Sequence, residues 1–343
     1  MPPDRRHFAL GMAAAVAACS RPILPLPHSF DPKILDKGFP ALAARALPGV
    51  FNAAVMEIKT ATTWYGDADK PFPLGGAAVL PIAATLLGEI DAKRIALSEK
   101  ITVRDVDLSP PYSLIGESWR ATPATFAMNI TVMDLLSLAV EYGDNTAADV
   151  LLGRIGGPGA VVAWLAEKDI TGMRLDRYAR ETGVQVSGLE SFRPAWRTAK
   201  SFGEVLELTP VTVRQRAMET FLADNRDTTT AQGAMSFLYK LSHGQLASKA
   251  SSDLLLKMMT PTRAVEGPMG AAWPPSAAWA HKTGEPRSDL GFTPVQNDMG
   301  LVTLKDGRRF AVAALLAGST ASAAQRAKLF SDTAKLMLAA MGG

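Results

Sequence analysis

The stretch from Pro71 to Gly88, PFPLGGAAVLPIAATLLG, carries no charge, and its only hydroxyl is that of Thr85. Its length reaches the lower end of a membrane span. Gly75-Gly76, the internal Pro81 and the flanking charges Lys70 and Glu89 instead favour a helix apolar on all sides and buried in a domain core. On pattern alone, a core helix with no further role is the plainer reading. Elsewhere the periodicity predicts a helix over Asp31 to Leu47, with Ile34, Leu35, Phe39, Leu42 and Leu47 on one side. Val50 to Ile58 and Ala61 to Tyr65 read as a hairpin. Glu89 to Lys100 reads as a polar connection and Asp107 to Thr125 as a loop. Thr131-Val132-Met133-Asp134 resembles a capping box opening a helix from Leu135 to Tyr142. Gly143-Asp144-Asn145 breaks that helix, and Thr146 to Leu152 begins the next. After the turn Gly156-Gly157-Pro158, Arg174 to Tyr178 leads into a long polar stretch that ends at Asp224. Within it Thr209-Pro210 starts a helix carrying Val211, Val213 and Phe221. Arg226-Asp227-Thr228-Thr229-Thr230 caps a helix through Leu241. Ala277 to Thr283, Asp298 to Leu304 and Phe310 to Leu316 read as strands, with a turn at Asp306-Gly307. Ala321 to Met341 closes the chain as a helix.

Strands at both ends thus flank a helical middle. This predicts an α+β fold, an α/β sandwich whose antiparallel sheet of about five strands draws on both termini, with an all-helical subdomain inserted. The expected boundaries put residues 31–68 and 270–343 in the α/β part and 69–269 in the helical part.

Composition narrows the function. The 343 residues are 48% hydrophobic and 20% charged, as in a soluble globular protein. A net charge of +3 offers no case for a nucleic-acid partner. The single cysteine, Cys19, excludes an internal disulfide framework, and the four histidines form no metal-binding spacing. No metal and no cofactor are expected.

The first thirty residues have a different character. Arg5-Arg6 precede an apolar run to Ala18, which reads as a signal peptide over residues 1–18 of the twin-arginine type. Val16-Ala17-Ala18-Cys19 resembles a bacterial lipobox, which would make Cys19 a lipidated N-terminus. Cleavage after Ala15-Val16-Ala17 is the rival reading. Residues 19–30, with the proline-rich SRPILPLP, read as a tether. The expected location is periplasmic, with the membrane reached only through the lipid anchor.

Seven strings lie in order over about 300 residues. They are Phe72-Pro73, Asp144-Asn145-Thr146-Ala147-Ala148, Ile155-Gly156-Gly157-Pro158, Arg174-Leu175-Asp176-Arg177, Arg226 to Thr230, Lys282-Thr283-Gly284 and Asn297-Asp298-Met299-Gly300. Together they resemble the class A β-lactamases and the penicillin-recognising serine hydrolases, so the resemblance implies a β-lactamase/transpeptidase-like fold. That family's chemistry rests on S-x-x-K, S-D-N, an omega-loop glutamate and K-T-G. Here the S-x-x-K position reads Gly76-Ala77-Ala78-Val79, the S-D-N serine is Gly143, and the glutamate is Ala179. Asn145 and Lys282-Thr283-Gly284 are intact.

Acyl transfer needs a nucleophile, a base and an acid for the leaving group. Gly76, Val79, Gly143 and Ala179 supply none of these. In the family the retained residues bind rather than react: Lys282 and Thr283 hold a substrate carboxylate, and Asn145 holds its side-chain amide. Lysine and glutamate have become apolar together, which avoids stranding one buried charge. Pro81 is a further departure, removing one helix hydrogen bond near the first turns.

Other candidates are weaker. Glu181 lies two residues past the missing glutamate and reads either as a substitute or as an exposed charge. Ser109, Ser113 and Ser118 occupy the loop that lines the family's pocket, but none neighbours a lysine or histidine in sequence. His281 reads as a packing or surface histidine. Residues 183–224 form either a lid over the cleft or a helix packed on the surface, with Arg193, Trp196 and Arg197 contacting a ligand or covering the core.

The expected function is therefore that of an exported, non-acylating protein. It would bind a carboxylate-bearing ligand, such as a β-lactam or a peptidoglycan stem peptide. The alternatives are an active serine hydrolase with an unconventional nucleophile, and a structural envelope protein that binds another protein.

Overall fold

Strand β9 (Arg309–Ser319) shows how the architecture follows from the side-chain period of two. Phe310, Val312, Ala314 and Leu316 point into one hydrophobic core, and Ala311 and Ala313 point into the other. A strand buried on both faces needs a helical layer on each side. The computed structural model describes residues 29–119, 127–260, 267–284 and 288–342. It places β9 at the centre of a five-stranded antiparallel sheet.

In chain order the elements open with α1 (Pro32–Ala43), β1 (Val50–Glu57), β2 (Thr63–Tyr65), β3 (Phe72–Pro73) and α2 (Val79–Asp91). Next come β4 (Lys100–Arg104), α3 (Leu114–Trp119), β5 (Ala127–Thr131), α4 (Val132–Val140), α5 (Asn145–Arg154) and α6 (Pro158–Glu167). They continue with α7 (Ala179–Val186), α8 (Ala199–Leu208), α9 (Val211–Ala223), β6 (Thr228–Thr229), α10 (Ala231–Ser242) and α11 (Lys249–Met258). The last are β7 (Ala278–Gly284), β8 (Thr293–Thr303), β9 and α12 (Ala323–Ala340).

The sheet order is β2-β1-β9-β8-β7, so both ends of the chain meet in the middle and β7 is an edge. α1 and α12 cover one face through Leu35, Phe39, Phe330 and Met337. α10 and the helical half cover the other, and α2 is the pillar of that half: Val79 to Leu87 are all buried. Capping residues punctuate the helices as their sequence implies. Asp31, Thr131, Asp144 and Thr230 each accept a hydrogen bond from a backbone N–H in the helix they open.

Several expectations need correction. Phe72-Pro73 forms a short strand paired with Thr228-Thr229, so the helical run begins with a 3-10 turn at Gly75–Ala78 and continues past Gly88 to Asp91. Glu89 and Asp91 extend the helix because their side chains find partners, Arg94 for one and Ser248 and Ser251 for the other. Pro81 stands in the first turn of α2, where a missing N–H costs least. The region read as a loop from Asp107 contains α3. β4 and β5 form a small antiparallel pair that the sequence reading missed. The polar stretch after Arg177 folds into α7, α8 and α9. Among the described residues no single helix is long and apolar enough to cross a membrane. The expected signal peptide, Cys19 and most of the tether lie outside the described residues.

Candidate functional site

The 3-10 turn Gly75–Ala78 brings the N-terminus of α2 against the edge strand β7. Asn297 of β8 fastens this approach by donating from Nδ2 to the carbonyls of Pro73 and Leu74, at 2.7 and 3.2 Å. The gap is narrow. A side chain on Gly284 would collide with the Leu74 carbonyl, so the third residue of Lys282-Thr283-Gly284 must be glycine for the strand to come this close. A Cβ on Gly76 would stand 3.0 Å from the Thr283 carbonyl oxygen and 3.6 Å from Gly284 Cα. The resemblance puts a serine at position 76, and here that position lies tight against the strand.

The strand wall of the cleft carries Lys282 and Thr283, and Asn145 lines the same cavity from the start of α5. Lys282 is buried, and its Nζ donates to the Val140 carbonyl at the end of α4, at 2.7 Å. This bond ties the sheet to the helical half. Thr283 and Asn145 are half-buried at the same end of the cleft. Among the described residues, neither the Thr283 hydroxyl nor the Asn145 amide makes a side-chain hydrogen bond, which leaves both able to meet a ligand. Gly143 has φ +73°, and a Cβ there would stand 3.4 Å from Lys282 Nζ. Asp144 is fully buried and structural. Its carboxylate accepts from the N–H groups of Ala147 and Ile115 and from the Ser113 hydroxyl.

The helical wall is different. Ala179 is the first residue of α7, and its N–H donates to Asp149 Oδ1 at 2.6 Å. Asp149 Oδ2 accepts from the Arg180 N–H at 3.1 Å and from the Ser109 hydroxyl at 2.7 Å. A carboxylate on α5 therefore caps the N-terminus of α7, where anionic charge is favoured. Burial dominates nevertheless and pushes the Asp149 carboxyl up to about 6, with the three donors pulling the other way. The sequence reading passed over Asp149. The available signal was its position four residues after Asn145, which puts both side chains on one helix face.

Residues 178 to 226 form a large excursion closed at its neck by a buried ion pair. Arg177 Nε meets Asp227 Oδ2 at 2.5 Å, and its Nη1 reaches Gln185 and Asp224. The excursion is pinned elsewhere by Arg214, which binds both oxygens of Asp289 at 2.7 Å. α7 and α8 share a small core of Val184, Phe202 and Leu206, with Leu189, Phe192 and Trp196 packed against it.

The helices of this excursion close over the cleft. One cavity of about 590 Å³ is lined by Gly76, Val79, Gly143, Asn145, Ala179, Lys282 and Thr283 at one end. It is also lined by Phe202, Leu206, Met218 and Phe221 from α8 and α9, and by the bonded charges Asp149, Arg177, Asp227 and Asp289. Its size suits a small-molecule site. Of the apolar residues singled out on α9, Phe221 faces inward, whereas Val211 and Val213 are exposed. Arg193 stacks on Trp196, and Arg197 reaches Asp105 at 3.7 Å, so both brace the excursion.

The remaining candidates have structural partners. Glu181 accepts from the Tyr178 N–H at 2.9 Å and helps start α7. Ser109 and Ser113 donate to Asp149 and Asp144, and Ser118 donates to the Ile115 carbonyl. Among the described residues, none of the three bonds to a lysine or histidine. His281 is buried and bonded through Nδ1 to Asp298 at 2.6 Å, stacked on Trp279. Among the described residues no group of three or more His, Cys, Asp or Glu side chains is placed to hold a metal ion.

A two-ended antiparallel sheet, an inserted helical half and a cleft between the edge strand and the first turn of a buried helix define the architecture of the penicillin-recognising serine hydrolases. The chain belongs to the β-lactamase enzyme family, whose family model matches residues 35–341. It is 26% identical over 270 residues to β-lactamase VEB-1 of Pseudomonas aeruginosa, covering 78% of this chain and 77% of the relative. It is also 26% identical over 284 residues to β-lactamase AER-1 of Aeromonas hydrophila, covering 82% and 80%. Among solved structures, a β-lactamase from Chitinophaga pinensis superposes with a TM-score of 0.70 at 22% identity, over 89% of this chain and 97% of that one. An ancestral class A β-lactamase gives 0.69 at 24% identity, over 89% and 99%. Structural likenesses at these identities speak for the fold.

Proposed function

We propose that this chain is an exported, non-acylating member of its family that binds a carboxylate-bearing ligand reversibly in the cleft beside Lys282. The carrying observation is the contrast within one cavity. Asn145, Lys282 and Thr283 line it with binding groups, while Gly76, Val79, Gly143 and Ala179 occupy the positions that the resemblance gives to reacting groups. The named relatives are β-lactamases, which supports a β-lactam or a similar acyl-peptide carboxylate as the ligand class. Lys282 would supply charge-assisted attraction, strengthened by the apolar surroundings. Asn145 would receive an amide. Nothing in the cleft would attack the ligand.

Incubation with benzylpenicillin and a chromogenic cephalosporin, followed by intact mass measurement, tests the first half of this reading. The expected result is an unchanged mass and no hydrolysis above the uncatalysed rate. A mass gain equal to the drug would establish a nucleophile and overturn it. Calorimetric titration of wild type and Lys282→Ala with penicillins and stem peptides tests the second half. Export is proposed from the N-terminal sequence alone, with Cys19 diacylated. Wild type is expected to fractionate with membranes and Cys19→Ala with the soluble periplasm, and equal solubility would refute the anchor.

A further inference from the structure

The cavity has two chemically different ends, and the roofed end has no counterpart in the motifs that carry the family resemblance. Phe202 and Leu206 from α8 and Met218 and Phe221 from α9 all line it, yet each is buried, so the apolar end is an interior chamber rather than a surface groove. Chamber and site form one cavity, whose lining has apolar or small residues at Val79 and Ala179. A lysine and a glutamate at those positions would place two charges across the passage. An apolar body running from the polar end at Lys282, Thr283 and Asn145 to the rings of Phe202 and Phe221 meets only charges already bonded within the protein: Asp149 to Ser109 and the start of α7, Arg177 to Asp227, and Asp289 to Arg214. The roof is held over the chamber by ion pairs at both sides, Arg177 with Asp227 and Arg214 with Asp289.

We infer that the ligand is an amphiphile, a carboxylate carrying an extended alkyl or acyl chain, with the chain lodged between α8, α9 and the Val79 face of α2. This rests on the carboxylate reading proposed above and specifies the rest of the ligand. The chain gains the usual hydrophobic stabilisation of apolar surface leaving water, which grows with length until the chamber is full.

The test is a calorimetric titration of unbranched carboxylates from acetate to dodecanoate, each kept below its micelle-forming concentration, with dodecanol as the uncharged control. Wild type is expected to bind more tightly by about fourfold for each added methylene, up to a plateau. Ala148→Phe, which adds a ring from α5 into the cavity, is expected to move the plateau to shorter chains. Carboxylate binding that is independent of chain length would overturn the inference while leaving the proposed function standing. Chain-length-dependent binding that is equal for dodecanol and dodecanoate, and unchanged in Lys282→Ala, would support the chamber and overturn the carboxylate reading. Absence of binding across the whole series would overturn both. The wild-type chain-length series decides the matter even where the Ala148→Phe variant fails to fold.

Discussion

The two walls of the cleft are built from different materials. The strand wall, Lys282-Thr283-Gly284, is the edge of a sheet, and its register with Asp298, Met299 and Asn297 is locked by the ladder to β8. The helical wall is assembled from α2, α5 and the start of α7. Polar side chains line the first wall and small or apolar ones line most of the second. The physical difference is that polar groups on the strand side also hold the structure. Lys282 bonds the Val140 carbonyl and joins the two halves of the fold. Gly284 permits the close approach of β7 to the 3-10 turn. On the helical side the buried charges at the cavity likewise have structural duties: Asp149 caps α7, and Arg177 pairs with Asp227 at the neck of the excursion. On the reading proposed above, a group whose only task is chemistry can give way to glycine, valine or alanine, whereas these structural groups cannot.

The sharpest way to break this contrast is to rebuild the reacting wall. Gly76→Ser alone is expected to be silent toward penicillin, because it has no base, and in serine proteases loss of such machinery costs about 10⁶ in turnover. Only Gly76→Ser, Val79→Lys, Gly143→Ser and Ala179→Glu together are expected to give a penicilloyl adduct by intact mass. The rebuilt protein is also expected to melt lower. The new Cβ at 76 presses on the Thr283 carbonyl, and a serine at 143 must adopt positive φ, a strain of roughly 1–3 kcal/mol. Adduct formation by Gly76→Ser alone would reveal a base already in place.

Val79→Lys alone places an unpaired ammonium on a residue that is 5% exposed. It is expected to destabilise by about 3–5 kcal/mol in urea unfolding, as an uncompensated buried charge does. A change under about 1 kcal/mol would show that the helical wall still holds an anionic partner for it.

Asp149 sharpens the comparison through pH. Its carboxyl is raised to about 6 from 3.8, so the folded state binds the proton more tightly than the unfolded chain. For this group stability is highest below pH 3.8 and falls as pH rises through the window from 3.8 to about 6, by about 3 kcal/mol in all. Asp176 and Asp224, held below the usual range by Arg174 and Arg226, act in the opposite direction on acidification, so the difference between variants is the readout. The stability of wild type minus that of Asp149→Asn is expected to decline between pH 4 and pH 6.5 and then level off. A difference that is flat with pH would place the Asp149 carboxyl near its ordinary value.

The smallest effect belongs to the strand wall. Lys282→Ala is expected to weaken carboxylate binding about tenfold or more, the value of one charge-assisted hydrogen bond. Raising the salt concentration is expected to weaken the wild type and spare the variant. Equal affinities for every carboxylate would move recognition off this wall.

Much of this was legible in local windows of sequence. The caps at Asp31, Thr131, Asp144 and Thr230 and the alternation in β9 are short-range signals, and the structure carries them through. Phe72-Pro73, Asp144-Asn145 and Lys282-Thr283-Gly284 located the cleft because each string occupies one turn or one strand edge. Boundaries were less legible. α2 outran its uncharged stretch because Glu89 and Asp91 find partners that the apolar pattern does not record. The inward turn of Phe221, against the outward Val211 and Val213, was also hidden, since α9 carries apolar residues on more than one side.

The sequence by itself determined the family, the capped helices and the motifs that carry Asn145, Lys282 and Thr283, which the structure gathers at one cavity, because motif spacing and capping act within a few residues of one another. Tertiary structure alone decided that Asp149 would cap α7 across 30 residues, and that β7 would lie against Gly76. It also decided that α8 and α9 would fold back as the roof of an apolar chamber. These depend on contacts between segments far apart in the chain, whose free energies are set by burial and geometry that no local window contains.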